Sequence, residues 1–388
     1  MTTRNGAREA VIVGALRTPF GKRAGQLSGW HPVELLSFTL KGLMHKTGIN
    51  PAEVEDVIAG CVDQVGEQAL NVARNAWLDA GLPETTPATT VDRQCGSGLQ
   101  ALQFAAQGVM AGGYDLVVAC GVESMTRVPI GANVLWSQQT QMTPAVKSRY
   151  GVEHFNQAIG AEMIAKQYGM TRGALDEFSA RSHQLAANAT ARGWMREEIL
   201  PVPIDGTTME ADQGIRPDSS AEKLATLKPA FEGLELLTAG NSSQISDGAA
   251  ALLVASREKA DELGLKPLAR FVAFTQVGSD PVTMLTGPIP ATRKVLQRAG
   301  LSTSDIDLFE VNEAFATVCL AWQEELGVDL DRLNVNGGAI ALGHPLGASG
   351  ARLVLTAMHE LQRRGGRYAL TAICEGGGMA NASIIERL

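Results

Sequence analysis

The stretch that decides the fold is CGSGLQALQFAAQGVMAGGYDLVVACG, residues 95–121, because a related stretch occurs again near the end of the chain. When the numbering is shifted by 252, Ser97-Gly98 falls on Ser349-Gly350. The same shift places GINPAEVEDVI, residues 48–58, on GLSTSDIDLFE, residues 300–310. In both copies an amphipathic helix pattern follows the Ser-Gly pair and an apolar strand pattern follows the helix. Two regions that agree on one offset indicate an internal repeat.

A repeated unit of alternating strands and helices predicts an α/β fold with largely parallel, buried strands. Apolar runs near residue 9 (EAVIVGAL) and near residue 268 (LARFVAFTQVG) are predicted to open the two halves. We therefore expect three units, an N-terminal half of 1–122 plus 246–267, an inserted loop domain of 123–245, and a C-terminal half of 268–388. A long insertion on a rigid scaffold is usually a lid or a binding subdomain, and a purely structural insertion is the alternative.

The bulk composition excludes several classes of protein. The 388 residues carry a formal net charge of −8, which disfavours nucleic acid as a partner because phosphate binding needs a basic surface. No apolar run reaches the roughly 18 residues of a membrane span, and the start lacks a secretion signal, so we expect a cytoplasmic protein. The five cysteines are scattered without a C-x-x-C pair, so neither a disulfide framework nor a metal site is expected.

Cys95 is the first candidate for chemistry. The strand-like ATTVDRQ ends just before it, Gly96-Ser97-Gly98 forms a tight turn, and a helix pattern begins at once. This order places the sulfur at a helix N-terminus, where free N–H groups and the helix dipole can lower a thiol pKa from about 8.5. The pattern favours a reactive thiol over the alternative, a buried cysteine in a strand–helix turn.

Cys374 is a second candidate thiol. It ends the second-copy strand and is followed by the triplet 376–378 of glycines, whereas Cys120 ends the first-copy strand without such a triplet. Glycines leave backbone N–H groups accessible, as an oxyanion pocket requires. We expect Cys120, like Cys61 and Cys319, to be an ordinary core residue.

His344 and Asn312 complete the candidate set. His344 precedes the second-copy helix among glycines, where an imidazole can accept a proton from a thiol or donate a hydrogen bond to an oxyanion. The alternative is a polar side chain that is merely trapped among the glycines. Asn312 follows the apolar IDLFEV at a predicted strand end, which indicates a polar group directed into a site.

Six motifs, in order along essentially the whole chain, resemble those of the thiolase family. They are DRQCGSGLQA, GNSSQISDGAA, TGPIPA, NEAFA, GGAIALGHPLGASGAR and CEGGGM. The resemblance implies a five-layered αβαβα fold, built from two similar βαβαβαββ halves with an inserted loop domain.

The resemblance also implies roles for the candidate residues. Cys95 is the nucleophile that becomes acylated, and Cys374 is the acid and base. His344 activates Cys95 and lines a first oxyanion hole together with a water held by Asn312. The backbone N–H groups of Cys95 and Gly376 form the second hole.

The implied ligands are coenzyme A and acyl-CoA, as substrates and products rather than as a tightly bound cofactor. The pantetheine is expected near Leu227, Ala239, Ser243 and Phe315, and the nucleotide end near Arg216 and Phe231. The implied assembly is a homodimer or a homotetramer.

The implied activity is acyl transfer between 3-ketoacyl-CoA and CoA, in fatty-acid or related β-oxidation. The alternatives are biosynthetic condensation of two acetyl-CoA, a ketoacyl synthase-like condensing enzyme, and a non-catalytic acyl-CoA-binding protein. Members of the biosynthetic type usually carry a His-Met pair where this chain has Asn156-Gln157, which favours the degradative reaction. Two further departures are Asp92, which replaces a common Asn, and Lys223, which replaces a small residue near the CoA.

Overall fold

The structure, a computed structural model, describes residues 8–388, so residues 1–7 of the expected N-terminal half lie outside it. The strands are β1 Ala10–Arg17, β2 Gly21–Lys22, β3 Asp56–Gly60, β4 Ala88–Val91, β5 Leu116–Ser124, β6 Val202–Ile204, β7 Thr207–Met209, β8 Ser246–Ser256, β9 Ala269–Gly278, β10 Leu308–Val311, β11 Tyr368–Glu375 and β12 Met379–Arg387. The helices are α1 Pro32–Thr47, α2 Val72–Asp79, α3 Ser97–Ala111, α4 Ala132–Leu135, α5 Pro144–Tyr150, α6 Gln157–Gln167, α7 Arg172–Ala191, α8 Ala221–Ala225, α9 Arg257–Glu262, α10 Pro288–Ala299, α11 Ala316–Leu326, α12 Ala339–Leu342 and α13 Leu346–Arg364.

One ten-stranded sheet runs through both halves in the order β10-β11-β12-β9-β1-β8-β5-β3-β4, with β2 paired to β8. The halves meet where β1 pairs with β9 through Val11–Arg270 and Ile12–Ala269. β1 and β9 therefore open the two halves, as the two apolar runs predicted.

Largely parallel pairing, which the repeat suggested, is wrong. Parallel pairs join β3 to β4, β3 to β5 and β10 to β11, whereas β8 and β12 run antiparallel to all of their neighbours. The β11–β12 hairpin shows the reason, because a short turn reverses the chain and no helical crossover is needed. That turn is the triplet 376–378, in which Gly377 and Gly378 have left-handed φ angles of 81° and 76°.

The layers follow from helices on both faces of the sheet. Helices α3 and α13 pack on each other between the two halves, α1 and α2 cover the first half, and α10 and α11 cover the second. The central pair approaches closely because its contacts are glycines: a Cβ on Gly98 would overlap the carbonyl oxygen of Gly347, and one on Gly350 would overlap the backbone nitrogen of Leu99. The two halves of the sheet form two β layers, with α3 and α13 between them and the other helices outside, which gives five layers, αβαβα.

The second half follows the expected βαβαβαββ order, with its third strand shortened to a single bridge. The first half reads β1-α1-β3-α2-β4-α3-β5-β8, but the repeat offset places the short helix α12 where β4 would recur. Gly337, with φ +77°, turns the chain before α12, and Nε2 of Gln244 donates to the carbonyl oxygen of Ile340 at 2.8 Å. The third strand of the second half is instead reduced to one parallel bridge, in which Leu333 pairs with Phe309 of β10 as Ala88 of β4 pairs with Val57 of β3.

The segment between β5 and β8 holds α4 to α8 and the β6–β7 hairpin. Asn156 caps α6 by accepting from the N–H groups of Ala158 and Ile159, and Thr171 caps α7 by accepting from Ala174. Helices α6 and α7 pack on α11, and α7 also packs on α12, which brings the N-terminus of α6 over the central helices. Within residues 8–388, no helix has both the length and the apolar character that crossing a membrane requires.

Candidate active site

A tight turn between β4 and α3 presents Cys95. Asp92 Oδ1 accepts from the backbone N–H of Gln94 at 2.7 Å. The Ser97 hydroxyl accepts from the N–H of Arg93 at 2.8 Å and donates to the carbonyl of Gln94 at 2.6 Å. Gln94 adopts a φ of +50°, a left-handed conformation that the surrounding hydrogen bonds impose. Asp92, which replaces the common Asn, therefore helps to hold the residue before Cys95.

The Cys95 sulfur lies in a buried environment that disfavours its charge. The residue is 5% exposed, and burial, the largest effect, raises the pKa of its thiol to about 12. The Glu375 carboxylate raises this pKa further, while Gln157 and the N–H groups of Cys95 and Gly376 lower it. The expected lowering of the pKa by the helix N-terminus is therefore wrong, because burial outweighs it. The resting group is a thiol, and its ionisation needs a base.

Cys374 lies beside Cys95. It ends β11 in full burial, which raises the pKa of its thiol, and the charge of a Cys95 thiolate raises that pKa further. Two residues on, the backbone N–H of Gly376 faces the Cys95 sulfur. The structure thus brings both candidate thiols and the candidate oxyanion-hole amide to one place.

His344 is held as a neutral imidazole whose tautomer follows from its contacts. Nδ1 lies 2.6 Å from the Ser349 hydroxyl, which donates its only hydrogen to the carbonyl of Pro345 at 2.8 Å. Ser349 must therefore accept from Nδ1–H, so Nε2 carries the lone pair, which accepts from the side-chain amide of Asn312. Burial, with the Arg352 charge second, lowers the pKa of His344 to about 3. An uncharged base with Nε2 directed into the site is the result.

Asn312 joins His344 to the second-half sheet. Its backbone N–H donates to the carbonyl of Ala372 at 3.0 Å, and its Nδ2 lies 3.2 Å from Nε2 of His344. Its Oδ1 is buried without a hydrogen-bond partner among residues 8–388. A buried acceptor of this kind fits a water molecule, which is the role expected of Asn312.

Three further residues support the site but were not chosen as site residues from the sequence. Gln157, the first residue of α6, places Nε2 4.0 Å from the Cys95 sulfur. Ser349 orients His344. Glu123 accepts from the N–H of Gly347 at 2.9 Å and fixes the first turn of α13. An acidic residue inside the apolar run LVVACGVES was the available signal for Glu123, whereas Gln157 stood out only as a departure from the family pattern.

Four of the residues expected near coenzyme A form one cluster. The N–H of Ser243 donates to the carbonyl of Ala314 at 2.9 Å, next to Phe315. Leu227 packs on Gly240, the neighbour of Ala239, since a Cβ on Gly240 would lie 2.6 Å from the Leu227 methyl. The cluster borders the start of α11 at Ala316, four residues beyond Asn312.

Arg216 and Phe231 lie on exposed segments. The backbone N–H of Arg216 donates to Nδ1 of His183 on α7, and Phe231 is 64% exposed in a loop closed by a bridge between Pro229 and Thr238. Neither makes a hydrogen bond to the four clustered residues within the described part of the chain. Lys223, the third departure, forms an exposed ion pair with Asp218 at 2.6 Å.

The remaining cysteines are core residues, as expected. Cys61, Cys120 and Cys319 are fully buried, and Cys61 Sγ lies 3.7 Å from Glu123. Burial raises the pKa of each thiol.

The chain matches two protein families, the thiolase N-terminal domain over residues 10–258 and the thiolase C-terminal domain over residues 265–387. It is 48% identical to a steroid 3-ketoacyl-CoA thiolase of Mycobacterium tuberculosis, over 98% of this chain and 94% of that protein. It is 44% identical to a 3-ketoacyl-CoA thiolase of Bacillus subtilis, over 98% of this chain and 99% of that protein.

Among solved structures, the acetyl-CoA acetyltransferase of Bacillus anthracis superposes with a TM-score of 0.90 at 40% identity, over 99% of this chain and 100% of that one. This likeness confirms the predicted five-layered fold. Both family matches, the high identity and the shared fold lead to one assignment: the chain is a member of the thiolase family, an acyltransferase that uses CoA thioesters.

Proposed function

We propose that the enzyme works in the degradative direction, cleaving a 3-ketoacyl-CoA with CoA to acetyl-CoA and a shortened acyl-CoA. The contact that carries the proposal is Gln157 Nε2 at 4.0 Å from the Cys95 sulfur. In the biosynthetic type, this position belongs to a His-Met pair, so this chain offers the acyl group different surroundings. The printed names of both curated relatives, steroid 3-ketoacyl-CoA thiolase and 3-ketoacyl-CoA thiolase, support the same direction.

In the first half-reaction, Nε2 of His344 accepts the proton of the Cys95 thiol as the sulfur attacks the 3-keto carbon. The negative charge that forms on the 3-keto oxygen is stabilised by the N–H groups of Cys95 and Gly376, and His344 with a water on Asn312 stabilises the enolate oxygen that forms in the next step. The bond between C2 and C3 then breaks, its electron pair stays on C2 as an acetyl-CoA enolate, and the Cys374 thiol protonates C2. Acetyl-CoA leaves and Cys95 carries the shortened acyl group.

In the second half-reaction, the Cys374 thiolate takes the proton of the incoming CoA thiol. The CoA sulfur attacks the acyl thioester, and the oxyanion lies between the N–H groups of Cys95 and Gly376. Collapse releases the Cys95 sulfur, which recovers its proton from His344. Burial raises the pKa of both thiols, so each thiolate exists only briefly during the reaction. Cys95 exchanges its proton with His344, and Cys374 exchanges its proton with the substrate carbon and the CoA thiol.

Substrate binding is assigned to the exposed segments before β8. The apolar cluster around Leu227 and Phe315 receives the pantetheine, and Phe231 and Arg216 receive the nucleotide, one by stacking and one by charge. Local cationic contact of this kind lets a chain with a net charge of −8 bind an anionic ligand. No tightly bound cofactor is included in the proposal. We further assign a cytoplasmic location and a homodimeric or homotetrameric assembly.

Condensation of two acetyl-CoA is the second candidate, because the solved neighbour from Bacillus anthracis is an acetyl-CoA acetyltransferase. A thiolysis assay across 3-ketoacyl-CoA chain lengths, including a branched and a ring-bearing substrate, separates the two. The degradative proposal expects kcat/KM to be higher for longer or bulkier chains than for acetoacetyl-CoA. A clear preference for acetoacetyl-CoA would overturn it.

The covalent step is tested by mass spectrometry of the intact protein and of its peptides. Incubation with a 3-ketoacyl-CoA should place one acyl group on Cys95. Cys374→Ser should still accept an acyl group from an acyl-CoA but should fail to cleave the carbon–carbon bond. Full thiolysis by Cys374→Ser would contradict the acid and base role, and the absence of any adduct on Cys95 would contradict the acyl-enzyme.

A further inference from the structure

Glu375 stands between the two groups that act on the substrate, Cys374 and Gly376, yet the mechanism above does not use it. The residue is fully buried. Neither carboxyl oxygen has a hydrogen-bond partner among residues 8–388. A buried carboxylate without a donor is costly, so its protonation state needs an explanation.

Asn381 on β12 supplies the explanation, because its orientation is fixed. Its Nδ2 donates to the carbonyl of Gly96 at 3.2 Å, and a carbonyl can only accept. Its Oδ1 must therefore face the other way, and this atom too is buried without a partner within the described residues.

The two unpartnered acceptors both face Gly96. A Cβ on Gly96 would overlap Oε1 of Glu375 and would lie 3.0 Å from Oδ1 of Asn381, so both oxygens border the same point next to the nucleophile. Two adjacent acceptors repel each other unless one of them carries a hydrogen. A single proton on Glu375 satisfies both, since the carboxyl O–H then donates to the Asn381 oxygen.

The charges around Glu375 agree with this protonation. Burial raises the pKa of Glu375 to about 8, the nearby Arg93 lowers it, and Asp92 raises it. On the other side, a Glu375 carboxylate raises the pKa values of the thiols of Cys95 and Cys374. An ionised Glu375 therefore opposes the thiolates that the reaction forms.

We propose that Glu375 is a positioning residue of the thiolase site that works in its protonated form: its carboxyl O–H bonds to Asn381, which holds Gly96 beside the nucleophile and keeps the pocket uncharged. No proton passes from Glu375 to the substrate. Loss of its proton places a negative charge beside Cys95 and Cys374 and removes the hydrogen bond to Asn381. The proposal rests on Cys95 being the acylated thiol.

Glu375→Gln tests this role, because an amide NH₂ can donate to Asn381 and cannot ionise. At pH 7 we expect kcat/KM for thiolysis within about threefold of the wild type. At pH 9, about one unit above the Glu375 pKa, only about one tenth of the wild-type protein retains the proton, so the ratio of variant to wild type should rise about tenfold. Using the ratio cancels the titration of the CoA thiol, which is common to both proteins.

A constant ratio between pH 6.5 and 9.5 would overturn the proposal, and so would a folded Glu375→Gln that is inactive at every pH. Glu258→Gln, the same change at an exposed site, should give a constant ratio. If Glu375→Gln does not fold, the pH dependence of Cys95 alkylation in the wild-type protein still tests the proposal.

Alkylation of Cys95 by iodoacetamide, followed by peptide mass mapping, supplies the second readout. The logarithm of its rate should rise by one per pH unit below pH 8 and less steeply from pH 8 to 9, as Glu375 ionises. A uniform slope through this range would contradict the proposal. Alkylation needs no turnover, so it distinguishes failure of the Glu375 role from failure of the acyl transfer itself.

Discussion

Ser349 Oγ lies 2.6 Å from Nδ1 of His344 and donates its own hydrogen to the carbonyl of Pro345. The two contacts together fix the proton of the imidazole on Nδ1 and leave Nε2 free to accept one. A hydroxyl on the first turn of α13 thus decides which nitrogen of His344 can accept a proton.

Replacing Ser349 with Ala should remove the contact that fixes the tautomer of His344. We expect kcat/KM for thiolysis to fall about 10- to 100-fold, because the imidazole loses its fixed tautomer and orientation. Ser179→Ala is the matched control, since Ser179 is also a buried helix serine that donates to the carbonyl four residues earlier. Equal activity of the two variants in a steady-state assay would argue against an orienting role for Ser349.

Gln157→Ala should slow the chemistry of Cys95. The side chain donates to the sulfur and lowers the pKa of the thiol, so its loss should make the thiolate rarer. A neutral hydrogen bond contributes about 1 kcal/mol, and alkylation of Cys95 at pH 8 should be about fivefold slower. Gln167→Ala, an exposed change on the same helix, should leave the rate unchanged. An unaltered rate in Gln157→Ala would show that the contact has no effect on the thiol.

His344 should stay neutral throughout the working pH range. Its pKa is lowered to about 3, so the ring gains a proton only below about pH 4 and remains a base above that pH. NMR titration of the ring proton, assigned by comparison with His344→Gln, should show no shift between pH 5 and 8. A titration midpoint near the ordinary value of about 6.5 would contradict the burial of this imidazole.

The central helix pair should not tolerate a single added methyl group. Gly98→Ala places a Cβ on the carbonyl oxygen of Gly347, and we expect a loss of about 2 kcal/mol or more in the free energy of unfolding. Gly278→Ala is the control, because no atom lies within 4 Å of its added Cβ, and it should stay within about 0.5 kcal/mol. Denaturant unfolding measures both values, and similar midpoints would refute the close contact.

The repeat predicted much of the fold because it depends on local pattern. The offset that aligns Ser97 with Ser349 correctly predicted that α13 is the counterpart of α3 and that β10 is the counterpart of β3. It did not predict α12, because the offset places β4 on this helix, whereas the bridge that corresponds to β4 lies earlier in the chain, at Leu333. It also could not give strand direction, because a returning strand and a crossover strand have similar apolar patterns.

The candidate site divides in the same way. The positions of Cys95, His344 and Asn312 at element ends were readable from local sequence, and the structure places His344 against Asn312 as expected. The raised pKa of Cys95 could not be predicted from local sequence, because a helix start is visible in the sequence and the depth of burial is not. The contact of Gln157 with Cys95 depends on how the inserted segment folds back, which no local pattern encodes.

The glycine contacts between α3 and α13 have a consequence for the precision of the enzyme. Where two helices touch through main-chain atoms, their spacing is set by bond lengths and not by side chains that change rotamer. The distance between the starts of the two helices therefore does not vary with thermal repacking of the core. Under the proposed function, differences in acyl-chain size are accommodated by the inserted segment, while the spacing between the helix starts stays constant.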